Sequence, residues 1–262
     1  MRYLVTRSLM LLIATALITS NLTVNNSAMT TDTTNTTAEN PLATENNPLL
    51  AKWEGPFGGV PPFDRVQIPL FKPALEAAMA EQLAEIDRIA KNPAAPDFEN
   101  TIAALERAGS TFDRVTTLYG VWAATMANPE FQAVQREMAP RLAAFNDQIT
   151  QNEALFKRID TIYNSPDKAK LKPEQQRVVW LYFTNYVRAG ARLKPEAKTR
   201  LSQINQQLAG LFTKFSQNVL AEETDQFIVL KSEDELAGLP QSLRDAAAAA
   251  AESKKQPGTW CV

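Results

Sequence analysis

The sequence contains no histidine, and its single cysteine, Cys261, stands next to the last residue. Without histidine the chain cannot build a Ser-His-Asp triad, a Cys-His nucleophile pair or a two-histidine zinc helix. One cysteine cannot form an internal disulfide or a cysteine-rich zinc site. These absences exclude most hydrolase chemistry, so no residue is predicted to be catalytic, cofactor-binding or metal-binding.

The chain also has few glycines and no large excess of either charge. Its 262 residues include 9 Gly, 27 Lys or Arg and 29 Asp or Glu, for a net charge of -2. The glycine count excludes a collagen-like protein, and the balanced charge predicts no nucleic-acid partner. With 45% hydrophobic residues, the chain is long enough to bury a sizeable core.

The first 28 residues have the pattern of a secretory signal peptide. Arg2 and Arg7 precede the apolar run LMLLIATALI at positions 9–18, and Ser27 and Ala28 offer a cleavage site. We therefore predict export, to the periplasm, with residues 1–28 removed. The run is short for a membrane span, so no stable insertion is expected after cleavage. An uncleaved anchor, or a true start at Met29, is the alternative.

Residues 29–47 are rich in Thr and Asn, which predicts a flexible linker. The segment 48–69 is instead dense in Pro, Gly and aromatic residues, which indicates an extended arm over a folded body. Trp53, Phe57 and Phe63 are expected to anchor this arm to the body, or alternatively to line a ligand groove.

Apolar residues at helical spacing occupy most of the remaining chain. The stripes are Leu75–Ile89, Phe98–Leu105, Phe112–Met126, Phe131–Ile149, Leu155–Ile162, Val178–Asn185 and Leu201–Phe215. Pro140 lies inside the fourth stripe and is expected to kink that helix. The last stripe has heptad spacing, but for only about two heptads, which favours packing within the chain over a coiled coil.

Near the C-terminus the pattern changes. Phe227–Leu230 is a short β-branched run that predicts a strand, and Ala246–Ala251 predicts a helix with little to bury. The final PGTWCV resembles a turn that enters a strand. Residues 48–262 are thus expected to form a mostly α region with an extended N-terminal arm and one short strand near the C-terminus.

Two acidic clusters and one serine are the remaining candidates for chemistry. The clusters are Glu222, Glu223 and Asp225, and Glu233–Glu235; neither has the spacing of a calcium loop, so both are expected to be solvated charge. Ser216 has no catalytic sequence context.

Several segments resemble the N-terminal region of the M3 (thimet oligopeptidase-like) zinc metallopeptidases, in their bacterial peptidyl-dipeptidase branch. The resemblance runs from about Asn47 to about Ala250. It rests on these segments in order: NPLL, GGVPPFDRVQIPLFKPALEAAMAEQLAEIDRIAKNPAAPDFENTIAALERAG, REMAPRLAAFNDQITQNEALFKRI, YVRAGARL and LAGLFTKFSQNVLAEE.

The resemblance implies part of a helical clamshell enzyme that releases dipeptides from the C-terminus of short peptides. In that family an HExxH helix and a downstream Glu hold zinc in the C-terminal half, and this chain has no histidine for such a motif. We therefore expect a chain truncated before the zinc-binding catalytic domain and catalytically silent, with zinc required only by the full-length family.

The resemblance also implies helices that pack against a catalytic half. Without that half, a large apolar face is expected to be exposed and to cause self-association or dye binding. The alternative function is a stand-alone exported helical module that binds peptides without cleaving them.

Overall fold

The computed structural model describes residues 46–262, so the predicted signal peptide 1–28 and most of the predicted linker 29–47 lie outside the described residues. The described chain is mostly helical, as predicted, with one two-stranded sheet. It divides into two compact units, residues 46–213 and residues 214–262.

The structure confirms the succession of helices expected from the apolar stripes. The α-helices are α1 (Phe71–Ala90), α2 (Ala104–Arg107), α3 (Ser110–Thr125), α4 (Pro129–Thr150), α5 (Glu153–Asn164), α6 (Pro173–Arg188), α7 (Pro195–Asp225) and α8 (Gln241–Ser253). A π-helical segment, Phe98–Ala103, leads into α2, and the strands are β1 (Val229–Leu230) and β2 (Trp260–Cys261). Shorter 3-10 turns are Pro56–Gly58, Phe63–Arg65, Ile68–Leu70, Pro166–Lys170 and Glu233–Leu236.

Helix starts follow from local sequence. The side chain of Asn128 accepts a hydrogen bond from the Phe131 amide at 2.9 Å, with Pro129 at the first helical position. Asn152 caps α5 in the same way through the Leu155 amide, also at 2.9 Å. Both side chains satisfy a backbone donor that the first turn leaves without a partner.

The first unit contains two apolar clusters. In the first, the arm packs with α1, α3 and α4 around the buried Phe71, whose ring centre lies 5.2 Å from that of Phe131 and 5.7 Å from that of Trp122. The second cluster joins the end of α1 and the π-helical segment to α5 and α6. Its buried members include Ile86, Ile102, Leu155, Ile159, Val179 and Tyr186.

A buried arginine fixes the connection between α1 and the π-helical segment. Arg158, on α5, is only 6% exposed. Its guanidinium donates to the carbonyls of Asn92 (2.7 Å) and Ala94 (3.1 Å), to Asn100 Oδ1 (2.7 Å) and to Thr101 Oγ1 (3.1 Å). All four acceptors are neutral, so this side chain holds a loop by hydrogen bonds rather than by an ion pair.

The arm differs in part from the sequence-based expectation. Asn47, predicted to end the linker, is buried and donates to the Leu70 carbonyl at 2.9 Å. Trp53 packs against the first cluster, and the half-exposed Phe63 stacks on Trp122 at 6.3 Å. Phe57 is fully exposed at φ 59°, so its expected role as an anchor is wrong.

Two helical expectations change, and a third stays a prediction. Helix α4 is one helix that contains Pro140, and the kink expected there stays a prediction. The buried face of α6 carries Val179 and Tyr186, one residue beyond the predicted Val178 and Asn185, because adjacent valines leave the register open. The predicted apolar stripe of α7 is exposed rather than packed at Leu208, Leu211 and Phe215.

In the second unit, the expected C-terminal strands form. Val229 pairs with Cys261 and Leu230 with Trp260 in an antiparallel ladder, and α8 packs against β2. Ala247 and Ala251 are buried, so the prediction that α8 has little to bury is wrong for one face of it. Alanine has no bulk beyond Cβ, which allows a close approach of the neighbouring backbone.

Candidate functional surfaces

The sequence-predicted acidic clusters do not assemble a site in the described residues. The Glu235 carboxylate accepts hydrogen bonds from the Lys231 amide at 2.7 Å and the Ser232 amide at 3.1 Å, and the first of these is the main reason that its pKa is lowered. Glu222 is only 4% exposed and its burial raises its pKa, so the expectation that this cluster is solvated charge is wrong for Glu222. These two carboxyl groups are therefore held in place by the fold and do not form a binding site together. Ser216 is exposed and Cys261 is buried.

The zinc implied by the family resemblance does not fit the residues of this chain. Zinc sites in proteins use histidine, cysteine or carboxylate ligands that converge on one point. The chain has no histidine, and among residues 46–262 no group of three or more His, Cys, Asp or Glu is placed to hold a metal ion.

An extended apolar surface lies on α7. We name Leu208, Leu211, Phe212 and Phe215 the α7 apolar face; their exposed fractions are 43%, 63%, 64% and 63%. Their spacing of three, one and three residues places them on one side of the helix. From residue 201 to residue 221 the only charged side chain is Lys214. Such an uncharged apolar face is suited to covering by another protein surface.

A shallow depression of about 390 Å³ lies where α5 meets the turn between α6 and α7. It is lined by Glu153, Phe156, Lys157, Asp160, Ala191, Arg192 and Leu193. Phe156 and Ala191 are buried at its floor. Arg192 forms an ion pair with Asp160 at 3.0 Å, and Glu153 pairs with Lys198 at 3.0 Å. The rim therefore offers charges of both signs over an apolar floor.

Charge is unevenly distributed along the first unit. Residues 157–200 contain eleven Lys or Arg and four Asp or Glu, a net charge of +7 in a chain whose total is -2. The whole-chain balance used in the sequence analysis hid this segment, and counting charge in a sliding window would have found it. Its side chains lie on α5, the turn Pro166–Lys170, α6 and the start of α7.

The exposed side of α6 combines these cations with an aromatic ring. Arg177, Trp180 and Arg188 are all exposed, and their spacing of three and eight residues puts them on one side of the helix. The guanidinium carbon of Arg177 lies 4.1 Å from the centre of the Trp180 ring. We name these three residues the α6 basic face.

No helix in the described part of the chain is long and apolar enough to cross a bilayer. The described residues offer three candidate surfaces for function: one apolar, one mixed and one basic.

Comparison with known proteins shows the class to which the chain is related. No family model matches the sequence. Curated relatives do: the chain is homologous to M3-family peptidases, as the resemblance of its segments predicted. The matched segment covers more than four-fifths of this chain but only about a third of each relative, so the chain spans only part of the length of these proteins.

Two of the similar proteins are dipeptidyl carboxypeptidases. The protein of Salmonella typhimurium is 34% identical over 216 residues, which is 82% of this chain and 32% of that protein. The Escherichia coli protein is 32% identical over 219 residues, 84% of this chain and 32% of that protein. Oligopeptidase A of Salmonella typhimurium is 26% identical over 212 residues, 81% of this chain and 30% of that protein.

Proposed function

We propose that this chain is the helical N-terminal portion of a zinc peptidase that releases dipeptides from the C-terminus of short peptides, and that it is catalytically silent by itself. The observation that carries the proposal is its 34% identity to a dipeptidyl carboxypeptidase over 82% of the chain. The silence follows from the absence of histidine, since the HExxH motif that the family resemblance implies requires two.

The proposal assigns a role to the α7 apolar face. Its occupant is the remaining part of the peptidase, because the chain spans only about a third of the length of its relatives. The near absence of charge around the face supports an apolar interface of the kind found inside a single folded protein. Left uncovered, the face would promote self-association of the isolated chain.

The direct test of silence is a peptidase assay of the purified chain. Peptides with a free C-terminal carboxylate are incubated with added zinc, and released dipeptides are detected by mass spectrometry. We expect no release. Zinc-dependent release that a chelator abolishes would refute the silence.

DNA sequencing tests whether the chain derives from a longer parent enzyme. Translation of the DNA downstream of the Val262 codon in all three frames should reveal an HExxH motif followed by a Glu. If no frame contains one, the peptidase assignment fails and the peptide-binding module becomes the leading function.

A stand-alone peptide-binding module is the second candidate, and the depression beside α5 favours it. Its apolar floor at Phe156 could receive a side chain, while Lys157 and Arg192 on the rim could bind a carboxylate. Isothermal titration with peptides tests this function. Binding that requires the free C-terminal carboxylate and is weakened in Lys157→Gln would support it, and no binding would exclude it.

Export is a further part of the proposal. It is supported by the basic start and the apolar run of residues 1–28. Mass spectrometry of the chain recovered from the periplasmic fraction should show a mature N-terminus close to residue 29. A full-length N-terminus in the cytoplasmic fraction would contradict it.

A further inference from the structure

We propose that the α6 basic face, Arg177, Trp180 and Arg188, binds the surface of an anionic phospholipid bilayer and holds the protein there peripherally. This inference does not depend on the peptidase relationship, because it concerns a different surface and a different partner.

The first support is the local charge. The segment 157–200 carries a net charge of +7, whereas the remaining described residues carry 14 Lys or Arg and 22 Asp or Glu, a net charge of -8. Even without the buried Arg158 and the largely buried Lys198, nine surface cations face four carboxylates in this segment. The protein therefore has a positive region that an anionic surface would orient towards itself.

The second support is that these cations are available. In the described chain, Arg177 and Arg188 form no ion pair, and neither do Lys172 and Lys194, which flank the two ends of α6. The two carboxylates in the segment that do form ion pairs, Asp160 and Asp167, bind other partners. A cation that forms no ion pair is free to attract lipid phosphates.

The third support is Trp180, which decides between lipid and other anionic partners. Trp180 is 38% exposed on a helix face, where an amphipathic indole is suited to the headgroup region of a bilayer. One ring face is covered by Arg177 at 4.1 Å, which hinders the base stacking that single-stranded nucleic acid binding uses. The exposed part of Trp180 and the flanking cations instead fit a planar layer of phosphates.

Vesicle co-sedimentation of the full chain tests the proposal. We expect binding to phosphatidylcholine vesicles containing about 30% phosphatidylglycerol, little binding to pure phosphatidylcholine, and loss of binding in about 0.5 M salt, because screening shortens the range of the attraction. The double variant Arg177→Gln/Arg188→Gln should bind at least about tenfold more weakly. Trp180→Ala should also weaken binding without any change in net charge.

A matched control removes two exposed cations from other parts of the chain. Lys52 and Lys214 are exposed and form no ion pair among the described residues, so Lys52→Gln/Lys214→Gln changes the net charge by the same amount. Circular dichroism shows whether each variant keeps its helices. The salt dependence is measured on the unmodified chain, so it does not depend on whether any variant folds.

Three results would overturn the proposal. The first is equal binding to both vesicle types, or none to either. The second is an equal loss of binding in the control and in the α6 double variant. The third is tighter binding to a single-stranded oligonucleotide or to an acidic polypeptide than to anionic vesicles, which would assign the face to that class of partner.

Discussion

Replacement of Arg158 by methionine should destabilise the first unit strongly, because a buried guanidinium is the shared partner of four acceptors. It donates to two backbone carbonyls and two side-chain oxygens at 2.7–3.1 Å, and it is only 6% exposed. Methionine fills much of the volume of the arginine stem but offers no donor. The carbonyls of Asn92 and Ala94 would then lose their side-chain partner.

The magnitude follows from the cost of such losses. A hydrogen bond from a charged donor contributes about 1.5–3 kcal/mol, but removal of the buried charge relieves a desolvation cost. We therefore expect a net loss of about 3–5 kcal/mol rather than the sum of four bonds. With a slope of about 2 kcal/mol per M for urea, the unfolding midpoint should fall by roughly 2 M.

Urea unfolding followed by tryptophan fluorescence measures this change. A Trp260→Phe background leaves Trp53, Trp122 and Trp180, all of them in the first unit, so the signal does not report on residues 214–262. Arg200→Met is the matched control, because Arg200 is exposed and makes no ion pair in the described chain. Equal shifts for the two variants would refute the role assigned to Arg158.

The remaining predictions concern the arm, one ion pair and the α7 apolar face. Gly59→Ala should cost at least about 2 kcal/mol more than Gly58→Ala in chemical denaturation: both glycines have positive φ, but only at residue 59 would an added Cβ meet backbone atoms, at 2.7–2.8 Å. The pKa of Glu137 is lowered, chiefly by a hydrogen bond from Lys72, so this pair stabilises the fold above the ordinary carboxyl pKa of 4.5 and the effect is lost as the pH falls below that value. The difference in melting temperature between the unmodified chain and Lys72→Met should therefore be larger at neutral pH than in acid, and an unchanged difference would argue against it. Phe212→Ser should reduce the binding of a hydrophobic dye without lowering the melting temperature, because that side chain is 64% exposed; undiminished dye binding would place the dye on another surface.

The sequence predicted the helices well because their ends are local events. An Asn-Pro pair caps α4 through side-chain geometry that involves only four consecutive residues. The π-helical start at Asp97 is similarly local, since Asp97 and Asn100 bond each other's backbone amides at 2.7 and 3.1 Å. Such signals are read from neighbouring residues without knowledge of the tertiary fold.

Tertiary neighbours were harder to predict. Periodicity identified the apolar stripe at Leu211 but not what covers it, because a stripe has the same spacing whether or not it has a partner. Arg158 was not singled out, since arginine is usually exposed and its four acceptors lie 57–66 residues earlier in the chain. The α6 basic face was missed because charge was counted over the whole chain.

The alanine run in α8 has a consequence for how the second unit folds. Strands β1 and β2 are separated by the 29 residues from Lys231 to Thr259, and a flexible loop of that length must lose conformational entropy before the ladder can form. Consecutive alanines favour helix before any tertiary contact exists, so the 13 residues of α8 can become a stiff segment of about 20 Å early. The search for the partner strand is thereby shortened, which gives the run a kinetic role in addition to its packing against β2.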